Sequence, residues 1–142
     1  MLNPLIVLGA PRSGTNALRN TICNIKGFET WPCDEINYAW RFSNSSFQYD
    51  SLSASQASTS AKNYIRKLFY RLHEKSLADV VVEKTCANCL RVSFVAKILP
   101  EAKYLYIRRD PYDVVSSSLK RWEAPLDITY LFKKLKYIPK VD

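Results

Sequence analysis

Three short polar clusters in this chain each follow an apolar run directly: Gly9-Ala-Pro-Arg-Ser-Gly-Thr-Asn16, Glu83-Lys-Thr85 and Arg108-Arg-Asp-Pro111. Their residue types suit anion chemistry. In the first, Gly9 and Gly14 bracket four residues, so the backbone can curl and turn its N–H groups inward on a phosphate-sized anion. A helix beginning near Thr15 adds unpaired N–H groups and the positive end of its dipole. Arg12 lies inside the loop, where its planar fork grips phosphate or sulfate oxygens bidentately. The loop departs from the nucleoside-triphosphate pattern, because Thr15 stands where that pattern has lysine and Asn16 where a hydroxyl would hold magnesium. It reads as a phosphate binder without the equipment for Mg-ATP. The plainer alternative is a tight strand-to-helix turn with a solvent-facing arginine.

The third cluster has a logic of its own. Asp110 is a good N-cap, Pro111 suits the first helical position and Asp113 completes an acidic first turn, which sets a helix start beside Arg108 and Arg109. An arginine at the strand end and Ser117 two turns into that helix can hold a second anionic group away from the first.

The elements that carry these clusters alternate. Leu5-Ile-Val-Leu8 is a short buried strand, and Ala17 to Ile25 follows as a helix ended by Gly27. Phe28 to Phe42 reads as an aromatic and polar connection. Between Ser43 and Ser60, 8 of 18 residues are serine with no sustained apolar period, which predicts a flexible loop or irregular lid. Ala61 to Leu77 is an amphipathic helix with Ile65, Leu68, Phe69 and Leu72 on one face. Val80-Val-Val82 is a second strand, followed by a helix carrying Leu90, Phe94, Val95 and Ile98. Tyr104 to Ile107 is a third, followed by a helix over Tyr112 to Arg121. Strand-helix alternation predicts a parallel sheet covered by helices, with ligands outside the carboxyl ends of the strands. All three polar clusters then fall on one edge.

Composition narrows the class. A chain of 142 residues, 47% hydrophobic, can bury a real core and reads as a single domain over 1–142. The net charge of +8 is spread evenly, with an excess of four basic groups over residues 1–96 and four over residues 97–142. That argues against a basic nucleic-acid arm and for attraction of a polyanionic small molecule. Of Cys23, Cys33, Cys86 and Cys89 only the last two form a CxxC, a weak metal signal, so the thiols read as structural or incidental. No apolar run reaches membrane length and no signal peptide is visible, so a cytoplasmic setting is expected.

The ordered motifs P-R-S-G-T, E-K-T and K-Y-L-Y-I-x-R-D-P-Y-D-V-V-x-S resemble the sulfotransferases that use 3′-phosphoadenosine 5′-phosphosulfate (PAPS), over residues 5 to about 121. The resemblance implies an α/β, three-layer sandwich with a parallel sheet, the P-loop NTPase-like sulfotransferase fold. It assigns Arg12, Ser13, Gly14, Thr15 and Asn16 to the 5′-phosphosulfate, and Arg109 and Ser117 to the 3′-phosphate. Arg108 and Ser116 share the latter spacing and leave a one-residue alternative. It makes Lys84, supported by Arg12, the donor to the sulfuryl and leaving-group oxygens; the bland reading of Lys84 is an exposed loop lysine paired with Glu83.

For the base, Cys86 stands where one branch of the family has histidine, and other branches use a glutamate after the first helix. Glu35 is therefore the candidate, ahead of Glu83 and Cys86. Trp40 and Arg41 are candidate acceptor contacts or simply packing, and His73 reads as a surface residue on the amphipathic helix. No metal is required by this chemistry, since fixed cations and N–H dipoles stabilise the leaving group. The expected partners are PAPS and a hydroxyl- or amine-bearing acceptor, whether carbohydrate, peptide, lipid or small molecule. Family members usually run longer, so the C-terminal part of the usual domain is expected to be missing, with Leu126 to Ile138 a helix leading into it. A noncatalytic PAP-binding module and a degenerate P-loop kinase are the competing readings.

Overall fold

A computed structural model describes residues 2–125 and 127–135. Four strands, β1 (Pro4–Leu8), β2 (Phe28–Glu29), β3 (Val80–Lys84) and β4 (Lys103–Tyr106), form one parallel sheet in the order β2-β3-β1-β4. The two central strands are the near-continuous apolar runs, as expected of strands covered on both faces. Pairing sets Ile6 beside Glu83 and Val7 beside Lys84, so β1 and β3 end level with each other.

The helices are α1 (Thr15–Cys23), α2 (Asn37–Trp40), α3 (Thr59–Ser76), α4 (Val92–Ile98), α5 (Pro111–Trp122) and α6 (Ile128–Leu135). From β1 the chain moves outward past β3 to β2 and then returns towards β4, and right-handed crossovers therefore put α1 on one face and α3 and α4 on the other. The latter face holds the main core. Ile6, Leu8 and Val81 pack there with Ile65 and Phe69 of α3 and with Phe94, Val95 and Ile98 of α4. Trp31 and Trp40 stand edge-on to Phe69, with ring centroids 4.8 and 5.9 Å away. Val7 and Val82 are buried on the opposite face, where α1 meets β1 and β3.

Several expectations change in detail. The connection over Phe28 to Phe42 contains a two-residue strand and a one-turn helix. The serine-rich segment is a packed strap rather than an irregular lid. Leu52 inserts into the core, and the buried Asn44 amide donates to the carbonyls of Phe42 and Gln56. Ser53 and Gln56 form a capping box around a 3₁₀-helix (Ala54–Gln56), and Ser58 caps α3. The expected C-terminal helix is described as Ile128–Leu135; Leu126 and residues 136–138 lie outside the described residues. Strand β4 lies at the sheet edge with all four residues exposed, and α5 buries none of its side chains.

Candidate active site

The loop between β1 and α1 is shaped by close approach. A Cβ on Gly9 would lie 2.6 Å from Ile107 Cγ2 and 2.7 Å from Thr15 Cγ2, so only glycine lets the chain leave the strand here. Arg12 and Gly14 both adopt positive φ, at 69° and 92°, which curls the loop back on itself, and the Ser13 amide donates to the Ala10 carbonyl at 3.1 Å. Helix α1 begins at Gly14 with neither a side-chain cap nor an acidic first turn. Its first N–H groups are therefore left for an external anion.

Lys84 closes the opposite wall. It is the last residue of β3, with 2% of its side chain exposed, and its ammonium lies 3.1 Å from Glu35 Oε1 and 3.3 Å from Asp34 Oδ1. It is thus a buried strand residue, and its carboxylate partners come from the segment before α2 rather than from Glu83. The Thr85 hydroxyl accepts from the Ile36 amide at 3.2 Å and pins that segment to the strand. Glu35 Oε1 also accepts from the Cys86 amide at 3.2 Å. Burial alone would raise the Glu35 carboxyl, but the Lys84 charge and the Cys86 and Lys84 hydrogen bonds outweigh it and hold the group below the ordinary glutamate value. Asp34 is lowered in the same way, against its own burial, by Lys84, Asn16 and Arg19.

The two other base candidates differ in kind. Cys86 is pushed up to about 11, first by burial and then by the Glu35 charge, so it stays a thiol. Glu83 is buried beneath the site, accepting from the Thr85 hydroxyl and from the Asn88 amide at 2.8 Å, and burial raises its carboxyl. Asn88 in turn accepts from Arg91 Nε at 2.8 Å, and Arg91 also donates to Asn37 and pairs with Asp50 at 3.6 Å. Glu83 thus heads a polar network that braces α2 and the strap. Burial lowers Arg91 to about 10, which leaves it charged at neutral pH.

On the third side, Arg12 Nε donates to Ser117 Oγ at 3.0 Å and Arg109 donates to the Arg12 carbonyl at 3.1 Å. Asp110 caps α5 through the Tyr112 amide at 2.9 Å, which fixes where Ser117 projects. A cavity of about 350 Å³ brings together Arg12, Gly14, Thr15, Asn16, Glu35, Lys84, Arg109 and Ser117. Of the residues expected at the site only the buried Ser13 is missing from its lining, and Arg109 and Ser117, not Arg108 and Ser116, face it.

A second cavity of about 590 Å³ shares Pro11, Glu35 and Cys86 with the first and extends to Asn37, Asp50, Leu90 and Tyr106. Glu35 therefore borders both. Sequence reading missed Asn37 and Asp50, which lie in segments without periodicity. Trp40 is fully buried in the core, and Arg41 pairs at 3.7 Å with Asp50 of the second cavity. His73 bonds the Ala78 carbonyl at 2.7 Å at the end of α3, away from the site.

A parallel sheet of order β2-β3-β1-β4, an uncapped helix behind a Gly-bounded loop, and a strand-end lysine between two carboxylates give an α/β site suited to an anionic group. The family model described as sulfotransferase family matches residues 4–131. No curated protein and no solved structure matches the chain. The chain belongs to the sulfotransferase family, whose general chemistry is sulfuryl transfer with a nucleotide cofactor and an acceptor. Among the described residues no helix is long and apolar enough to cross a membrane, and no group of three or more His, Cys, Asp or Glu is arranged to hold a metal ion.

Proposed function

We propose that this protein moves the sulfuryl group of PAPS to a hydroxyl or amine acceptor. The observation that carries this reading is the Lys84–Glu35 ion pair, in which Lys84 lines the first cavity and Glu35 borders both. PAPS, when bound, supplies an activated sulfuryl group on a bisphosphate leaving group. The site's features fit it: a loop curled by positive φ at Arg12 and Gly14, a helix start with no side-chain cap, and an Arg109–Ser117 corner for a second phosphate.

In this account the loop amides and Arg12 hold the 5′ end, while Arg109 and Ser117 hold the 3′-phosphate. The acceptor enters through the second cavity. Glu35, already ionised, accepts the proton from the acceptor's nucleophilic atom. Lys84 offers its ammonium to the oxygen on which negative charge builds, a fixed donor of the kind whose removal costs roughly 10²- to 10³-fold in rate. We take the cytoplasm as the setting of this single-domain activity.

Transfer of labelled sulfuryl from PAPS to a panel of carbohydrate, phenolic, peptide and amine acceptors tests the reading. Lys84→Ala and Glu35→Gln should each lower turnover by roughly 10²-fold or more while PAP still binds. A wild-type protein that binds PAP and transfers to no acceptor class would instead be a noncatalytic bisphosphate-binding module.

A further inference from the structure

The CxxC of this chain sits against the phosphate loop. Cys86 and Cys89 lie on one 3₁₀-helix (Cys86–Leu90), and both are free and partly exposed to the second cavity. A 3₁₀-helix has three residues per turn, so side chains at i and i+3 eclipse, and a rise of about 2 Å per residue separates their Cα atoms by roughly 6 Å. That lies within the window of about 4.4–6.8 Å in which a disulfide closes without backbone movement.

Each sulfur is engaged with a different end of the loop. Cys89 Sγ accepts the Gly9 amide at 3.0 Å, and Cys86 Sγ lies 3.6 Å from Thr15 Oγ1. Gly9 and Thr15 are themselves packed so closely that a Cβ on the glycine would clash with the threonine methyl. The two thiols thus converge on the point where the loop opens and closes. Cys86 further donates its amide to Glu35.

We infer that Cys86 and Cys89 form a reversible disulfide that loosens the phosphate loop and so weakens anion binding at the site. The chemistry is thiol–disulfide exchange with a low-molecular-weight disulfide such as oxidised glutathione. The Cys89 thiolate attacks one glutathione sulfur, forming a mixed disulfide and releasing one glutathione thiolate. The Cys86 thiolate then attacks Cys89 Sγ, closing the protein disulfide and releasing the second glutathione thiolate. The two thiol protons pass to the released thiolates, so the protein loses two electrons and the oxidant gains two. Burial and the Glu35 charge raise the Cys86 thiol, so its thiolate is the minor form at neutral pH and closes the bond in the second step. Bonded to each other, the sulfurs cannot keep their positions on Gly9 and Thr15.

The effect on the ligand rests on the PAPS reading above; the disulfide and the loop response do not. The experiment equilibrates the whole protein with glutathione buffers of rising oxidised fraction, blocks remaining thiols and digests with trypsin. Cleavage after Lys84 and Arg91 yields one peptide, residues 85–91, that contains both cysteines. The expected result is that this peptide becomes two hydrogens lighter, that deuterium exchange at the Gly9 amide accelerates, and that PAP affinity falls about tenfold, as for loss of a structural hydrogen bond. Reduction with dithiothreitol should restore all three, and Cys89→Ser should show the same affinity before and after oxidation.

A peptide that stays reduced or carries glutathione at every ratio would overturn the proposal. So would a disulfide that forms with Gly9 exchange and PAP affinity unchanged. Faster Gly9 exchange on oxidation in a protein that never binds PAP would uphold the switch and refute the cofactor assignment.

Discussion

At the residue scale Lys84 is a buried cation held by two carboxylates, Asp34 and Glu35. Asp34 and Glu35 are ionised in the folded chain below their ordinary values. Groups lowered in this way stabilise the fold above the unfolded carboxylate range of about 4, and that contribution is lost as pH falls through the lowered folded values. Denaturant midpoints should therefore hold steady from neutral pH to about 5 and drop below about 4. In Lys84→Ala the carboxylates lose the cation that lowers them, so their share of the acid loss should shrink and the midpoint should fall less below about pH 4. The acid limb of the transfer rate should move to higher pH, because Glu35 then protonates more readily. An unchanged pH profile in Lys84→Ala would mean that Lys84 does not set the state of Glu35.

At the scale of elements, two substitutions separate loop shape from bracing. Gly9→Ala puts a methyl into Ile107 and Thr15, and overpacking of this kind costs about 1–3 kcal/mol. It should also weaken anion binding, because Thr15 opens α1. Arg91→Ala removes the hub between Asn88, Asn37 and Asp50 and leaves buried polar partners unpaired, at a cost of about 3–5 kcal/mol in urea denaturation.

The same elements show what the sequence could reveal. The apolar runs of β1, β3 and β4, the Gly-bounded loop and the Asp110-Pro111 helix start are local signals, and each appears where its residues require it. Strand β2 has two residues and α2 four, too short for any periodicity. The strap is ordered by single anchors, Leu52 in the core and Asn44 between two carbonyls, so its serine-rich composition misleads. Lys84 and Glu35 came from family resemblance, but their pairing is a tertiary fact: 49 residues separate them, and the Thr85–Ile36 bond aligns the two segments.

Across the whole molecule, burial is uneven. The side of the sheet facing α3 and α4 is closed, whereas β4 and α5 expose Tyr106, Val115, Leu119 and Trp122. Trp122 is 80% exposed, while Trp31 and Trp40 are 7% and 0% exposed. Acrylamide should therefore quench mainly Trp122, and Trp122→Phe should remove most of the quenchable emission; quenching that survives that change would mean the core tryptophans are more open than described. A net charge of +8 favours the approach of polyanions from a distance, and that attraction weakens with salt.

A cavity that reads both the 5′ and the 3′ phosphate of a nucleotide should discriminate PAP from 5′-AMP in calorimetric titrations of the wild type, Arg12→Ala and Arg109→Ala. PAP should bind more tightly than AMP, Arg12→Ala should weaken both, and Arg109→Ala should weaken PAP alone. Equal affinity for PAP and AMP in folded protein, or an Arg109→Ala variant that still prefers PAP, would contradict that reading.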